Sequence, residues 1–366
     1  MIATLISLLP MAICAGWVLT FLLHYGQLDR AKRWLTCFLL VCTVLYSCHA
    51  VYYNFYLPAD LPASLESVWA LCSLSVFPLY YIYICQLTWK PQSRRSMACL
   101  LLPGIVVATA ILLWPSPFTD NVRKAVFSIQ VLLCIWFGQR RLKRFDQELC
   151  DVYADTEGRD TRPVRHLLTA FLLTSVLSAV VNMLGKQYVA SNEWLVVLLF
   201  GPFAVLLFAL AYIGYTRRFS VEQLAEDMKE DAHPAPSLAD GGDGAASAPD
   251  NGQLGQKIEQ LMNEERFYLT KNLKITDLSN SVGVCRTYVS NYINQTEGCS
   301  FSDYINRRRI AYAQQLLLAN TTPKMSSVAD MAGFSNEQSF YRNFRKFTGM
   351  NPKEYASQAA TGENSA

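Results

Sequence analysis

Seven apolar runs of bilayer-spanning length fill the first 216 residues, and they constrain the chain more than any other feature. They lie near 2–23, 35–57, 65–89, 97–115, 122–138, 167–185 and 194–216. A hydrocarbon core about 30 Å thick takes roughly 20 helical residues to cross, and the runs are of that order, the fifth being the shortest. The reading predicts a seven-helix transmembrane bundle over residues 1–216. Hydrophobic residues make up 52% of the 366, high for a soluble protein, and the excess lies before residue 216. Run 2–23 has no basic residue before it and is followed by Arg30, Lys32 and Arg33. A cleavable signal peptide has the opposite charge order, so this run is read as a retained span.

The connecting segments alternate in basic content. Segment 24–34 carries three basic residues, 58–64 none, 90–96 three, 116–124 two, 139–166 seven and 186–193 one, and Arg217 and Arg218 close the last run. Basic loops stay in the cytoplasm, which puts the N-terminus outside and the C-terminus inside. Within the runs, His49, Tyr52, Tyr53 and Tyr56 share one face near the outer end of the second span, and Asn182 lies at similar depth in the sixth. These five form a candidate ligand-sensing group; an interfacial aromatic belt with polar contacts between helices would use the same residue types. Tyr80, Tyr81, Tyr83 and Gln86 make a comparable inner group, and Pro78, Pro103 and Pro202 are candidate kinks.

Eleven cysteines are present, eight of them in or at the ends of apolar runs, with no CxxC and no Cys/His ligand spacing. They read as apolar filler, with no disulfide, metal or cofactor expected. No HExxH, GxSxG, Walker loop or kinase signature occurs, so no enzyme activity is expected.

Beyond the last span, Val221, Leu224, Ala225 and Met228 fall at i, i+3, i+4 and i+7. This predicts a juxtamembrane amphipathic helix over 217–230, whose stripe needs a cover. Another protomer, giving a homodimer, or the chain's own segment 139–166 would supply it. Residues 231–253 are rich in Pro, Gly, Ala, Ser and Asp and read as a disordered acidic linker, reaching roughly 25–30 Å. Residues 358–366 read as a disordered tail.

Between them, residues 254–357 carry thirteen Lys or Arg against nine Asp or Glu, a modest nucleic-acid footprint. In the stretch Ser326–Tyr355, Ser326 is read as the cap of a short helix bearing Val328, Ala329, Met331 and Ala332. Gly333 follows at a left-handed turn and Phe334 as a plug between helices. Ser335 is read as the cap of a second helix that buries Phe340, Phe344 and Phe347 and faces Gln338, Tyr341, Arg342 and Arg345 outward. About 50 residues earlier, Leu278, Val282, Gly283 and Val289 repeat the roles of Val328, Ala332, Gly333 and Phe340. There Thr276 is read as the first cap and Arg286–Asn294 as the second helix. Phe301, Tyr304, Ile305, Arg309, Ile310, Ala313, Leu316 and Leu317 mark one connecting helix. The fold class is all-α throughout.

Val328-Ala329, Ala332 to Ser335, Ser339 to Lys346, Gly349, Asn351-Pro352 and Tyr355 resemble the signature of AraC-type transcription regulators. The resemblance covers residues 254–357. It implies two tandem helix-turn-helix units on double-stranded promoter DNA, with RNA polymerase as a further partner; the apolar runs and the charge alternation place the chain in a bacterial cytoplasmic membrane with this domain in the cytosol. Matched one position at a time, Thr287, Ser290, Asn291, Glu337, Gln338 and Arg342 would read bases, and Arg286, Arg345 and Lys346 would contact phosphates. Cys285 stands where the family usually has Ser, and a thiol is a weak cap. Arg309 matches the family's structural arginine. The expected function is a membrane-anchored regulator sensing an envelope or membrane signal. The alternative is a transporter or receptor whose C-terminal domain docks other proteins.

Overall fold

Apolar runs of this length leave their backbone amides no partner but each other, and the helix is the structure that satisfies every one of them within the run. The computed structural model describes residues 2–56, 62–88, 93–156, 161–184, 193–216, 251–319 and 324–361. The chain divides into two units, Met1–Phe145 with Thr161–Val221, and Asp146–Asp160 with Glu222–Ala366.

The first unit contains α1 (Ile2–Leu23), α2 (Arg30–Val51), α3 (Ala63–Leu87), α4 (Arg94–Leu113), most of α5 (Pro117–Val152), α6 (Arg162–Leu184) and α7 (Glu193–Thr216). Asp29 starts α2 by accepting from Lys32 N at 2.7 Å, and Ser93 caps α4 by accepting from Ser96 N at 3.2 Å. Helix α1 packs between α2 and α7, α3 packs against both α2 and α4, and α6 lies on α7. The core runs through Phe21, Leu35, Phe38, Tyr80, Ile82, Leu168 and Leu210. Aliphatic residues such as Leu102, Ile105, Leu133, Leu173 and Val205 point away from it and stay exposed. Among the described residues, six helices are long and apolar enough to cross a membrane. The sixth expected run corresponds to α6, whose side chains beyond 177 lie outside the described residues.

Helix α5 differs from expectation. Its apolar part was expected to stop at 138, but the helix continues through Gln139–Val152, so the first half of the basic connecting segment is helical. Residues such as Gln139, Arg140, Arg141, Leu142 and Lys143 are good helix formers, so loss of apolarity does not end the helix. Helices α3, α4 and α7 run on through Pro78, Pro103 and Pro202.

The second unit contains α8 (Asn251–Asn263), α9 (Ile275–Val282), α10 (Arg286–Tyr292), α11 (Phe301–Ala319), α12 (Met325–Met331), α13 (Glu337–Thr348) and α14 (Pro352–Thr361). It has two cores that meet along α11. Leu254, Ile258, Leu278, Val289, Phe301 and Ile305 form one, and Ile310, Ala313, Val328, Phe334, Phe340 and Phe344 form the other. Helix α8 begins at Asn251, inside the stretch expected as linker, and α14 runs to Thr361, inside the expected tail. The stripe of Val221, Leu224, Ala225 and Met228 lies outside the described residues, as does the rest of 217–250.

Candidate nucleic-acid interface

The 50-residue repeat is a repeat of hydrogen bonds as well as of residue types. In the first turn, Gly283 has φ of 74° and Val284 N donates to Ser279 O at 3.1 Å; in the second, Gly333 has φ of 80° and Phe334 N donates to Ala329 O at 3.0 Å. Both turns end a helix through a left-handed residue, where glycine carries no steric cost. At Gly333 a side chain is excluded twice over, since a Cβ there would lie 2.5 Å from Leu269 O; Gly283 faces open space.

The helix starts correct three sequence expectations. Lys274, not Thr276, occupies the cap position of α9, where Asp277 reaches back to accept from Lys274 N at 2.8 Å, and Thr276 is buried inside the helix. Lys324, not Ser326, precedes α12. Asn336, not Ser335, caps α13, accepting from Ser339 N at 2.8 Å. Its counterpart in the first helix-turn-helix is Cys285, which makes no side-chain cap bond, in keeping with the weakness of a thiol as acceptor. Helix α10 ends at Tyr292 and passes into a π-type turn over Ile293–Glu297.

The recognition-type helices α10 and α13 are seated by apolar residues on one side. Val289 and Ile293 are buried in the first helix-turn-helix, and Phe340 and Phe344 in the second, with the two Phe ring centroids 5.5 Å apart. Phe347 is half-buried. On the other side Thr287, Asn291, Glu337, Gln338, Arg345 and Lys346 are exposed, and Arg286, Ser290 and Arg342 are half-exposed. The nine residues expected to contact DNA therefore sit off the cores, on the solvent side of the helices that carry them. Lys346 also reaches Asp303 at 2.5 Å. Burial and the nearby Glu337 carboxylate raise the Tyr341 pKa.

Of the basic run on α11, Arg307 approaches Glu297 at 3.6 Å, and Arg308 pairs with Glu259 at 2.5 Å while lying over the Tyr304 ring. Arg309 is completely buried, which accords with the structural role the resemblance implies. It donates to Tyr268 O at 2.6 Å and Thr270 O at 2.7 Å, pairs with Asp155 at 3.3 Å, and stacks on Phe334. Burial pulls its pKa down and the Asp155 carboxylate pulls it back. Sequence reasoning missed Asp155, which lies 154 positions from its partner with no local signal.

Of the five candidate sensing residues, two are placed with their side chains. His49 Nε2 accepts from Trp69 Nε1 at 3.2 Å, and because indole can only donate, Nε2 is the unprotonated nitrogen of that ring. Tyr52 is buried and stacks on Trp69 at 6.0 Å, and Phe200 meets His49 edge-on at 5.6 Å. Arg123, buried and paired with Asp120, lies 5.7 Å from the Trp69 ring. Trp69, Phe200 and Arg123 were missed because each lies on a different helix from His49. The side chains of Tyr53, Tyr56 and Asn182 lie outside the described residues.

Residues 278–358 match the family model of a helix-turn-helix domain. An uncharacterized HTH-type transcriptional regulator of Staphylococcus aureus is 30% identical over 99 residues, 27% of this chain and 13% of that one. The transcriptional regulatory protein HptR of the same species is 31% identical over 110 residues, 30% of this chain and 41% of that one. The chain thus spans less than half the length of these relatives. A solved structure from Listeria innocua, a protein of unknown function, aligns over 27% of this chain and 94% of its own at 26% identity and a TM-score of 0.25.

Proposed function

We propose that this chain is a membrane-anchored, sequence-specific DNA-binding transcription regulator whose N-terminal helices sense an envelope or membrane signal. The supporting observation is the paired display of α10 and α13, with polar and basic residues on the solvent side and the seating aromatics behind. A helix of this kind enters the major groove, where Gln338 bonds adenine and Arg342 bonds guanine, while Arg286, Arg345 and Lys346 hold phosphates. Two units on one rigid connector read two successive grooves about 34 Å apart. Six helices of spanning length among the described residues, with α6 as the seventh span, and the alternation of basic segments support a multi-pass anchor in a bacterial cytoplasmic membrane, with the second unit in the cytosol. Sensing falls to the His49, Tyr52, Tyr53, Tyr56 and Asn182 region. A homodimer through Val221, Leu224, Ala225 and Met228 and a contact with RNA polymerase belong to the same proposal.

The test is retention of DNA by the full chain in lipid nanodiscs. Binding should weaken with salt along a log–log slope of about −2.7 if Arg286, Arg345 and Lys346 each neutralise one phosphate. DNA binding that is absent at low salt contradicts the proposal and favours a docking domain on a receptor or transporter.

A further inference from the structure

The residues that end α5 belong to the DNA-reading unit. The second unit includes Asp146–Asp160, although the 90 residues 161–250 separate this segment from α8. Within it Val152, Tyr153, Ala154 and Asp155 are all buried, which is unusual for a connection between two helices and calls for a partner that satisfies its backbone.

That partner is the whole helix-turn-helix assembly. Ala154 N donates to Leu273 O at 3.0 Å, and Tyr153 forms an antiparallel bridge with Lys274, so the segment adds one rung of extended backbone beside the start of α9. On the connector α11, Ser302 Oγ and Asn306 Nδ2 donate to Ala154 O at 2.7 and 2.8 Å, and Arg309 pairs with Asp155. On the second unit's side, Ser335 Oγ donates to Asp155 Oδ2 at 2.6 Å and Ser339 Oγ to Asp155 Oδ1 at 3.1 Å, at the start of α13. A single carboxylate thus ties the connector to the start of the second recognition helix, while the backbone groups of the neighbouring Ala154 tie Leu273, just before α9, to the connector.

We propose that Tyr153–Asp155 is a clasp: a segment from the α5–α6 connection that docks on the DNA-reading unit and holds its two helix-turn-helix elements in the relative orientation needed to read two successive grooves. Asp155 is its positioning residue. The proposal rests on the regulator reading above and adds a route of control to it. The clasp is continuous with apolar helices on both sides, so a movement of α5 or α6 that withdraws it would leave Arg309 buried without its carboxylate and the two helix-turn-helix elements loosely coupled.

The consequence is specific. Two rigidly coupled readers bind as one bivalent ligand, and their joint affinity collapses when the spacing between half-sites is wrong; loosely coupled readers tolerate the change. Duplexes selected by the wild-type full chain in nanodiscs from a random-sequence pool would be rebuilt with roughly half a helical turn inserted between the two half-sites. Wild type should lose about 100-fold on insertion, and Asp155→Ala should bind the original duplex more weakly yet lose less than about tenfold on insertion. Asp155→Asn, which keeps the acceptor oxygen, should fall between. A smaller folded fraction would lower both duplexes alike and leave the ratio unchanged. If Asp155→Ala does not fold, Ser335→Ala with Ser339→Ala cuts only the second unit's side of the clasp and should shift the ratio in the same direction. Hydrogen exchange on the full chain gives a reading independent of DNA: residues 150–155 should be protected in wild type and exchange faster in Asp155→Ala. An unprotected segment in wild type, an unchanged insertion ratio in the folded variants, or tighter DNA binding by Asp155→Ala would each overturn the clasp. If wild type selects no duplex, the regulator reading fails, and exchange alone decides whether the clasp is docked.

Discussion

Arg309 carries the heaviest electrostatic demand in the second unit, because a fully buried guanidinium must have its charge and its donors met. Two carbonyls and one carboxylate meet them. Arg309→Leu leaves Asp155 buried without its ion-pair partner and should lower stability by about 3–5 kcal/mol, read as the urea midpoint of the second unit's unfolding. A shift below about 1 kcal/mol would show that the pair is solvated. On the DNA side, Arg342→Ala should cost about 1–3 kcal/mol at the cognate site and relax one base position, whereas Lys346→Ala should weaken all sequences alike. Equal losses on cognate and unrelated duplexes for Arg342→Ala would remove it from the base readers. At this scale the buried aromatics and the two glycines were legible in the sequence, because a helical period and a left-handed turn are local. The caps were not: Ser335 has the right chemistry for a cap, but its hydroxyl is spent on Asp155, 180 positions away, and Asn336 takes the role.

Each helix-turn-helix turn is fixed by its glycine, and the two glycines should differ in their response to substitution. Both have positive φ, so alanine at either costs about 1–2 kcal/mol from backbone conformation. At Gly333 the added Cβ also collides with the backbone of Leu269. Gly333→Ala should therefore be clearly more destabilising than Gly283→Ala in the same melting experiment, and equal effects would contradict the close approach of Leu269. The repeat of these turns could be read directly from the chain at a spacing of about 50 residues. The extent of α5 could not, since the basic residues after 138 end the apolar pattern without ending helix propensity. Docking of its last residues depends on pairings across more than 100 positions, beyond the reach of any periodicity.

For the whole molecule, the charge alternation of the connecting segments makes the topology testable. A cytoplasm-dependent reporter fused after Arg218 should be active, and one fused after Ala59 should be silent; activity at Ala59 would overturn the N-out arrangement. The all-α class was legible because bilayer-length apolar runs and a long helix-turn-helix signature are strong signals, whereas the membership of Asp146–Asp160 in the second unit was not. The proposed sensing function left no comparable pattern. The His49, Trp69, Tyr52 and Arg123 cluster is assembled from α2, the turn after it, α3 and α5. The central claim, that a membrane-embedded chain reads specific DNA through α13, is tested most directly by mapping bound DNA across the genome in cells carrying the wild-type or the Arg342→Ala protein. Wild type should occupy a small set of promoters sharing one motif, and Arg342→Ala, present in the membrane at the same level, should lose those sites or bind a motif relaxed at one position. The same sites and motif for both proteins, or no enriched DNA for wild type, would contradict it.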